Sequence, residues 1–177
     1  MKKIIFSILA LLLIAGSGSC QEKIDTEKEK ESIKALIEEE LAAYVDRDFS
    51  RVEATWVHES TSRDYNMTST GVVKRIGWSV IAKSDKEHIE DEDLWDDTEN
   101  YNGEHSNFDI VVYGNTALAF HQTKFFGKYL GEEFTRGQER IVHLVKVEGE
   151  WKIDFLGMYT LPPEEVEEAE EDPDVED

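Results

Sequence analysis

The sequence predicts an α+β domain in which N-terminal helices cover one face of a curved antiparallel sheet, leaving a conical space between the two layers. Three observations carry this. Apolar residues recur at three- and four-residue steps in the first part of the chain and alternate in the second half. The helical segments come first and the strands afterwards, an order that builds separate layers and not βαβ units. Short turn signals, Gly114-Asn115 and Glu148-Gly149, divide the second half into consecutive hairpins.

Taken in order, the chain opens with Lys2 and Lys3, an apolar run from Ile4 to Ala15, and small residues up to Cys20, the sole cysteine. A charged start, a short apolar stretch and a small-residue cleavage zone make an export signal. The run is too short to span a bilayer, which takes about 20 apolar residues. A cysteine where cleavage would occur resembles the bacterial lipoprotein signal, which implies a lipid on Cys20. Gln21 stands where Asp would resemble the inner-membrane retention signal of enteric bacteria, so the expected address is the cell envelope at the outer membrane, on its periplasmic or surface face. A lone cysteine forms no intrachain disulfide, and the domain must be stable through its core.

Thr26 and Glu29 have the spacing of a capping box, and Ile33, Leu36, Ile37, Leu41, Tyr44 and Val45 then line one helical face. Ser50 with Glu53 predicts a second, short helix through Val52 and Trp56, joined to the first at Asp46 to Phe49. Ser60 to Val73 is polar and β-branched with a turn at Thr70-Gly71; Ile76, Val80 and Ile81 predict a third helix ending near His88. Phe108 to Tyr113, Thr116 to Phe126, Phe134 to Val147 and Trp151 to Tyr159 alternate as strands of a meander. With the second hairpin centred near Leu130, paired residue numbers sum to about 260. Odd positions of both strands then share a face, which puts His121 and His143 together on the cavity wall.

The formal charge is −21, which becomes −23 once a leader containing Lys2 and Lys3 is removed. Ten of the last fourteen residues are acidic and none is basic, leaving −13 on residues 20 to 163. The expected organisation is a signal peptide over residues 1–19, a charged spacer over 20–31, one domain over 32–163 and a disordered acidic tail over 164–177. Nucleic acid is excluded as a partner, because phosphate binding needs a basic stripe and the sequence has none.

The YGNTALAFHQTKFFG stretch (Tyr113 to Gly127), the VKVEGEWKIDFLG stretch (Val145 to Gly157) and the order of elements resemble the nuclear transport factor two-like superfamily. Within it the chain is similar to SnoaL-like and small ketosteroid-isomerase-like domains over about residues 28 to 160. The resemblance implies a cystatin-like cone, a pocket between helices and sheet, and an outer sheet face available for homodimerisation. In the isomerases of this fold an Asp acts as general base beside a Tyr and a protonated Asp. Counted from Asp48, the base position falls on Asp64, the tyrosine position on Glu40, and the second Asp position near Ile141 to His143, so the oxyanion donors of that chemistry are altered here.

The candidate catalytic residue is therefore Asp64, and the candidate pocket residues are Tyr44, Tyr65, Trp78, His121, His143 and Tyr159. The segment Glu90 to Asn100 is acidic, yet it fails the EF-hand pattern because Trp95 takes the fifth position from Asp91 and Asp96 stands where glycine is required; it is expected as an exposed loop. No metal and no cofactor is expected: the sequence carries no third converging ligand for the histidines, no phosphate loop, no Cys-x-x-Cys pair and no serine nucleophile elbow. The functional expectation is a lipid-anchored envelope protein whose pocket binds a small, partly apolar ligand without catalysis. The alternative is a SnoaL-like isomerase or cyclase using Asp64 as base.

Overall fold

The computed structural model describes residues 26–162. The leader, Cys20 and the acidic tail lie outside these residues. Four helices, α1 (Thr26–Val45), α2 (Phe49–Thr55), α3 (Trp78–Ile89) and α4 (Glu92–Asp96), accompany six strands. The strands are β1 (Arg63–Thr68), β2 (Gly71–Ile76), β3 (Thr98–Tyr113), β4 (Thr116–Tyr129), β5 (Glu132–Val147) and β6 (Glu150–Thr160). They form one sheet in the order β2-β1-β6-β5-β4-β3, antiparallel except where β1 runs parallel to β6. The expected helices-on-sheet cone is what the chain builds.

Several local details differ from the sequence reading. Glu29 does not serve a capping box. Its carboxylate accepts from Lys146 Nζ at 2.6 Å and from Trp151 Nε1 at 2.7 Å, tying the start of α1 to the ends of β5 and β6. α2 is capped by Asp48 and not by Ser50, because the Asp48 side chain accepts from the backbone N–H groups of Ser50 and Arg51. The polar stretch after Ser60 forms the β1–β2 hairpin. The acidic segment expected as a loop contains α4 and the start of β3, with Asp91 as N-cap accepting from Leu94 N.

The β4–β5 hairpin turns on two residues, Leu130 (φ 53°) and Gly131 (φ 81°), so that Tyr129 pairs with Glu132 and His121 with Arg140. Paired numbers sum to 261, one more than expected. That single residue reverses the faces: odd positions of β4 lie with even positions of β5. His121 and Arg140 therefore share the inner face, and His143 stands on the outer one.

Bulges bend the sheet. Register shifts interrupt β3 between Glu99 and Asn102 and between Ser106 and Asp109, and a third falls at His143/Leu144 in the β5–β6 pair. Asn100 and Asn107 take left-handed backbone angles at the first two, a conformation their short polar side chains tolerate. The inner face packs on α1, α2 and α3 through Ile33, Ile37, Val52, Ile81, Leu144 and Ile153, all at most 2 % exposed. Burial of each stabilises the fold by about 1.5–3 kcal/mol relative to exposure. Gly103 allows α1 to approach β3 closely, since a Cβ there would meet Leu41 Cδ1 at 3.0 Å and Phe125 Cδ1 at 3.1 Å. No described helix is long and apolar enough to cross a membrane.

Candidate ligand cavity

Strand register supplies a depth axis for the space between helices and sheet. Trp56 bridges to Ile153 at the closed end. Asp64 pairs with Leu156, and Asn66 with Met158, which in turn pairs with Arg140. Arg136 lies four residues further along β5, about 13 Å at the rise of a strand, beside the last described residues of the chain. The cavity has a volume of about 260 Å³. Tyr44, Tyr101, Phe125 and Met158 form apolar walls between a polar floor and a polar mouth.

At the floor, Asp64 is 3 % exposed and its Oδ2 accepts from Arg75 Nη1 at 2.6 Å. This pair follows from the β1–β2 register, in which Asp64 faces Arg75 across the strands. Burial pushes the Asp64 carboxyl above its ordinary range, and the Arg75 charge and hydrogen bond oppose that rise. Its other oxygen, Oδ1, is buried without a hydrogen-bond partner, as are Asn66 Oδ1 and Trp56 Nε1. Two acceptors and one donor thus stand unsatisfied among the cavity-lining residues, where an orphaned polar group costs about 1–3 kcal/mol.

Two further acids line the same space. Glu40, 8 % exposed, is pushed up by burial against the pull of Arg140, 3.6 Å away. Asp85 on α3 is pushed up to about 7 by burial, with the Asp64 and Glu40 charges adding to it. Arg140 is committed inside the cavity: its Nε donates to Gln138 Oε1 at 3.0 Å and its guanidinium lies 5.4 Å from the centre of the Phe125 ring. Arg136 is exposed, and among the described residues it makes no hydrogen bond or ion pair. The arrangement leaves Asp64 Oδ1 able to accept a hydrogen bond or a proton.

Of the residues singled out in the sequence, Asp64 and Tyr44 line this cavity, Tyr44 stacking on His88 at 5.6 Å. The other five lie outside the lining. Tyr65 packs edge-on against Phe155 with Lys74 over its ring, because odd positions of β1 face outward. Trp78 begins α3 and stacks on His58 at 4.5 Å. His121 is buried beneath α1, stacked on Phe108 and next to His105, with both ring nitrogens unpartnered. His143 faces outward beside Asp154 at 3.3 Å, a consequence of the register shift by one. Tyr159 is 40 % exposed, being odd-numbered on β6 beyond the bulge.

Sequence reasoning missed Arg75, Asp85, Arg136 and Arg140. The first was recoverable, since a two-residue Ser69-Thr70 turn makes paired numbers sum to 139 and sets Arg75 opposite Asp64. Asp85 lies one helical turn past Ile81 and before His88. Among the described residues no group of three His, Cys, Asp or Glu is gathered as a metal site.

No protein-family model matches the chain, and no curated protein matches it. Solved structures do. A protein with a cystatin-like fold from Caulobacter vibrioides aligns at 14 % identity over 80 % of this chain and 95 % of its own, with a TM-score of 0.61. A nuclear transport factor 2-like superfamily protein from Salmonella enterica aligns at 18 % identity over 75 % and 91 %, with a TM-score of 0.60. The hexachlorocyclohexane dehydrochlorinase LinA-type3 from Novosphingobium barchaimii aligns at 12 % identity over 78 % and 90 %, also at 0.60. The chain has a cystatin-like fold similar to the folds of these solved structures.

Proposed function

We propose that this chain is a lipid-anchored cell-envelope protein whose cone binds a small, partly apolar molecule through a polar group seated at Asp64. The observation that carries the binding part is the floor: Asp64 Oδ1, Asn66 Oδ1 and Trp56 Nε1 are buried, unpartnered and among the residues lining one cavity. A native structure satisfies nearly all such atoms, so three in one cavity supports a ligand that completes them. The anchor is read from the leader and Cys20, and homodimerisation through the outer sheet face is proposed on the resemblance alone.

Native mass spectrometry of the chain extracted from envelopes without denaturation, wild type beside Asp64→Asn, tests the binding. The expected result is a small molecule retained by the wild type and lost from the variant. A protein that carries nothing, or carries the same mass in both forms, would overturn it.

A second reading, proton-transfer catalysis with Asp64 as general base, is favoured by one observation. The carboxyl is buried with its affinity for protons raised, and its free oxygen belongs to a cavity-lining side chain. The dehydrochlorinase above carries a name that describes loss of HCl, a reaction a base can promote. Turnover of the retained molecule by the wild type and not by Asp64→Asn would establish this reading over simple binding.

A further inference from the structure

The floor accounts for one end of a ligand, and the mouth holds a group that the floor does not use. Three guanidiniums line the cavity. Arg75 is held by Asp64, and Arg140 by Gln138 and Glu40. Arg136 alone of the three has no hydrogen-bond or ion-pair partner among the described residues, its charge acting only at longer range on Tyr101 and His88. Its neighbour on β5, Gln138, pairs with Thr160, and even positions of this strand face inward, so Arg136 stands on the inner face at the open end. Between it and the floor, Tyr101, Phe125 and Met158 offer aromatic and apolar contact.

Resting on the binding reading above, we infer that Arg136 is a carboxylate-binding subsite and that the cavity takes a hydroxylated, partly aromatic organic acid. The acid group sits at Arg136 and the hydroxyl donates to Asp64 Oδ1. The polarity follows from the donors and acceptors. A guanidinium presents only N–H donors and suits a carboxylate bidentately, while the floor oxygens accept and call for a ligand O–H or N–H. Asp64 is level with Val142 through Leu156, six residues from Arg136, so the two ends stand about 20 Å apart along the strand before side-chain reach shortens it, room for one aromatic ring and a short linker between two polar groups.

A carboxylate at Arg136 has two sources, a free acid or the chain's own acidic end. Past the end of β6 the Leu161 N–H donates to Gly137 C=O at 2.9 Å, which keeps the chain beside β5 next to Arg136. The acid-rich residues 164–177 begin three positions later.

The test is isothermal titration at pH 7 of the full chain with para-hydroxyphenylpropionate, its neutral amide, and phenylpropionate lacking the hydroxyl. The subsite predicts that the hydroxy acid binds, and that the amide or an Arg136→Gln chain each weakens binding by roughly ten- to a hundredfold, the worth of one charge-assisted pair. Acid and amide binding alike, or Arg136→Gln leaving the acid's affinity unchanged, would overturn the subsite while the cavity reading stands on its mass-spectrometric test. Binding of none of the three would overturn the ligand class. A full chain with Glu164, Glu165, Glu167 and Glu168 changed to Gln separates the sources: tighter acid binding identifies the chain's own end as a competing occupant, and unchanged affinity leaves the free acid as the occupant.

Discussion

Replacing Arg75 by Met isolates the floor carboxylate, and its cost follows from the geometry. Asp64 then loses the donor at 2.6 Å, while the nearest other guanidinium, Arg140, stays committed to Gln138 and Glu40. A buried carboxylate deprived of its partner costs several kcal/mol. Protonation offers an escape, at 1.36 kcal/mol for each pH unit above the ordinary carboxyl value of 3.8. The loss is therefore capped at about 4 kcal/mol at pH 7 and about 1.6 kcal/mol at pH 5. Urea denaturation at both pH values measures it. The expected outcome is a large loss at pH 7 that shrinks by more than half at pH 5, and its recovery in the Arg75→Met/Asp64→Asn double variant. A small loss, equal at both pH values, would mean that the carboxyl is already neutral in the native protein and would refute the ion pair.

Other perturbations read other parts of the account. His121→Leu removes two orphaned ring nitrogens, so stability at pH 7 should hold or rise. Burial pulls His121 down to about 2, so the unfolded chain binds a proton that the native one refuses, and wild-type stability falls as pH drops below the ordinary 6.5. The variant should therefore gain about 2–3 kcal/mol on the wild type between pH 6.5 and 4.5, read by denaturation at each pH. Asp85 has the opposite sign. With its carboxyl raised to about 7, the native state holds a proton that the unfolded chain releases above 3.8, and Asp85→Asn should gain on the wild type as pH rises through that window, up to a ceiling of about 4 kcal/mol. Gly157→Ala should cost about 1–3 kcal/mol in urea melts, because its Cβ would meet Ile141 Cγ2 at 2.8 Å and the Phe155 ring at 3.1 Å.

The architecture was legible because it rests on periodicity, and burial of Ile33, Ile37, Leu144 and Ile153 obeys the period that the sequence displays. The site was less legible because it rests on parity. Centring a hairpin one half-residue early was enough to bring His143 inside and leave Arg140 outside, the reverse of the structure. Capping boxes misled for a different reason. The Glu29 carboxylate finds Lys146 and Trp151, more than a hundred positions away, and no local pattern announces such partners. Asp64 was found by counting along a resemblance, but its burial and its partner Arg75 came from a short polar hairpin whose alternation is weak. Arg136 could not be singled out, since an arginine in a strand is ordinarily an outward-facing, solvated residue.

The measurement that bears most directly on the central claim is a pH titration of the Asp64 side-chain carboxyl in the full chain by carbon NMR, assigned against Asp64→Asn. A buried acceptor at the floor of the cavity predicts a midpoint above the ordinary 3.8, moving higher still in Arg75→Met. A midpoint at or below 3.8, unmoved by the Arg75 change, would describe a solvated carboxylate and contradict the site.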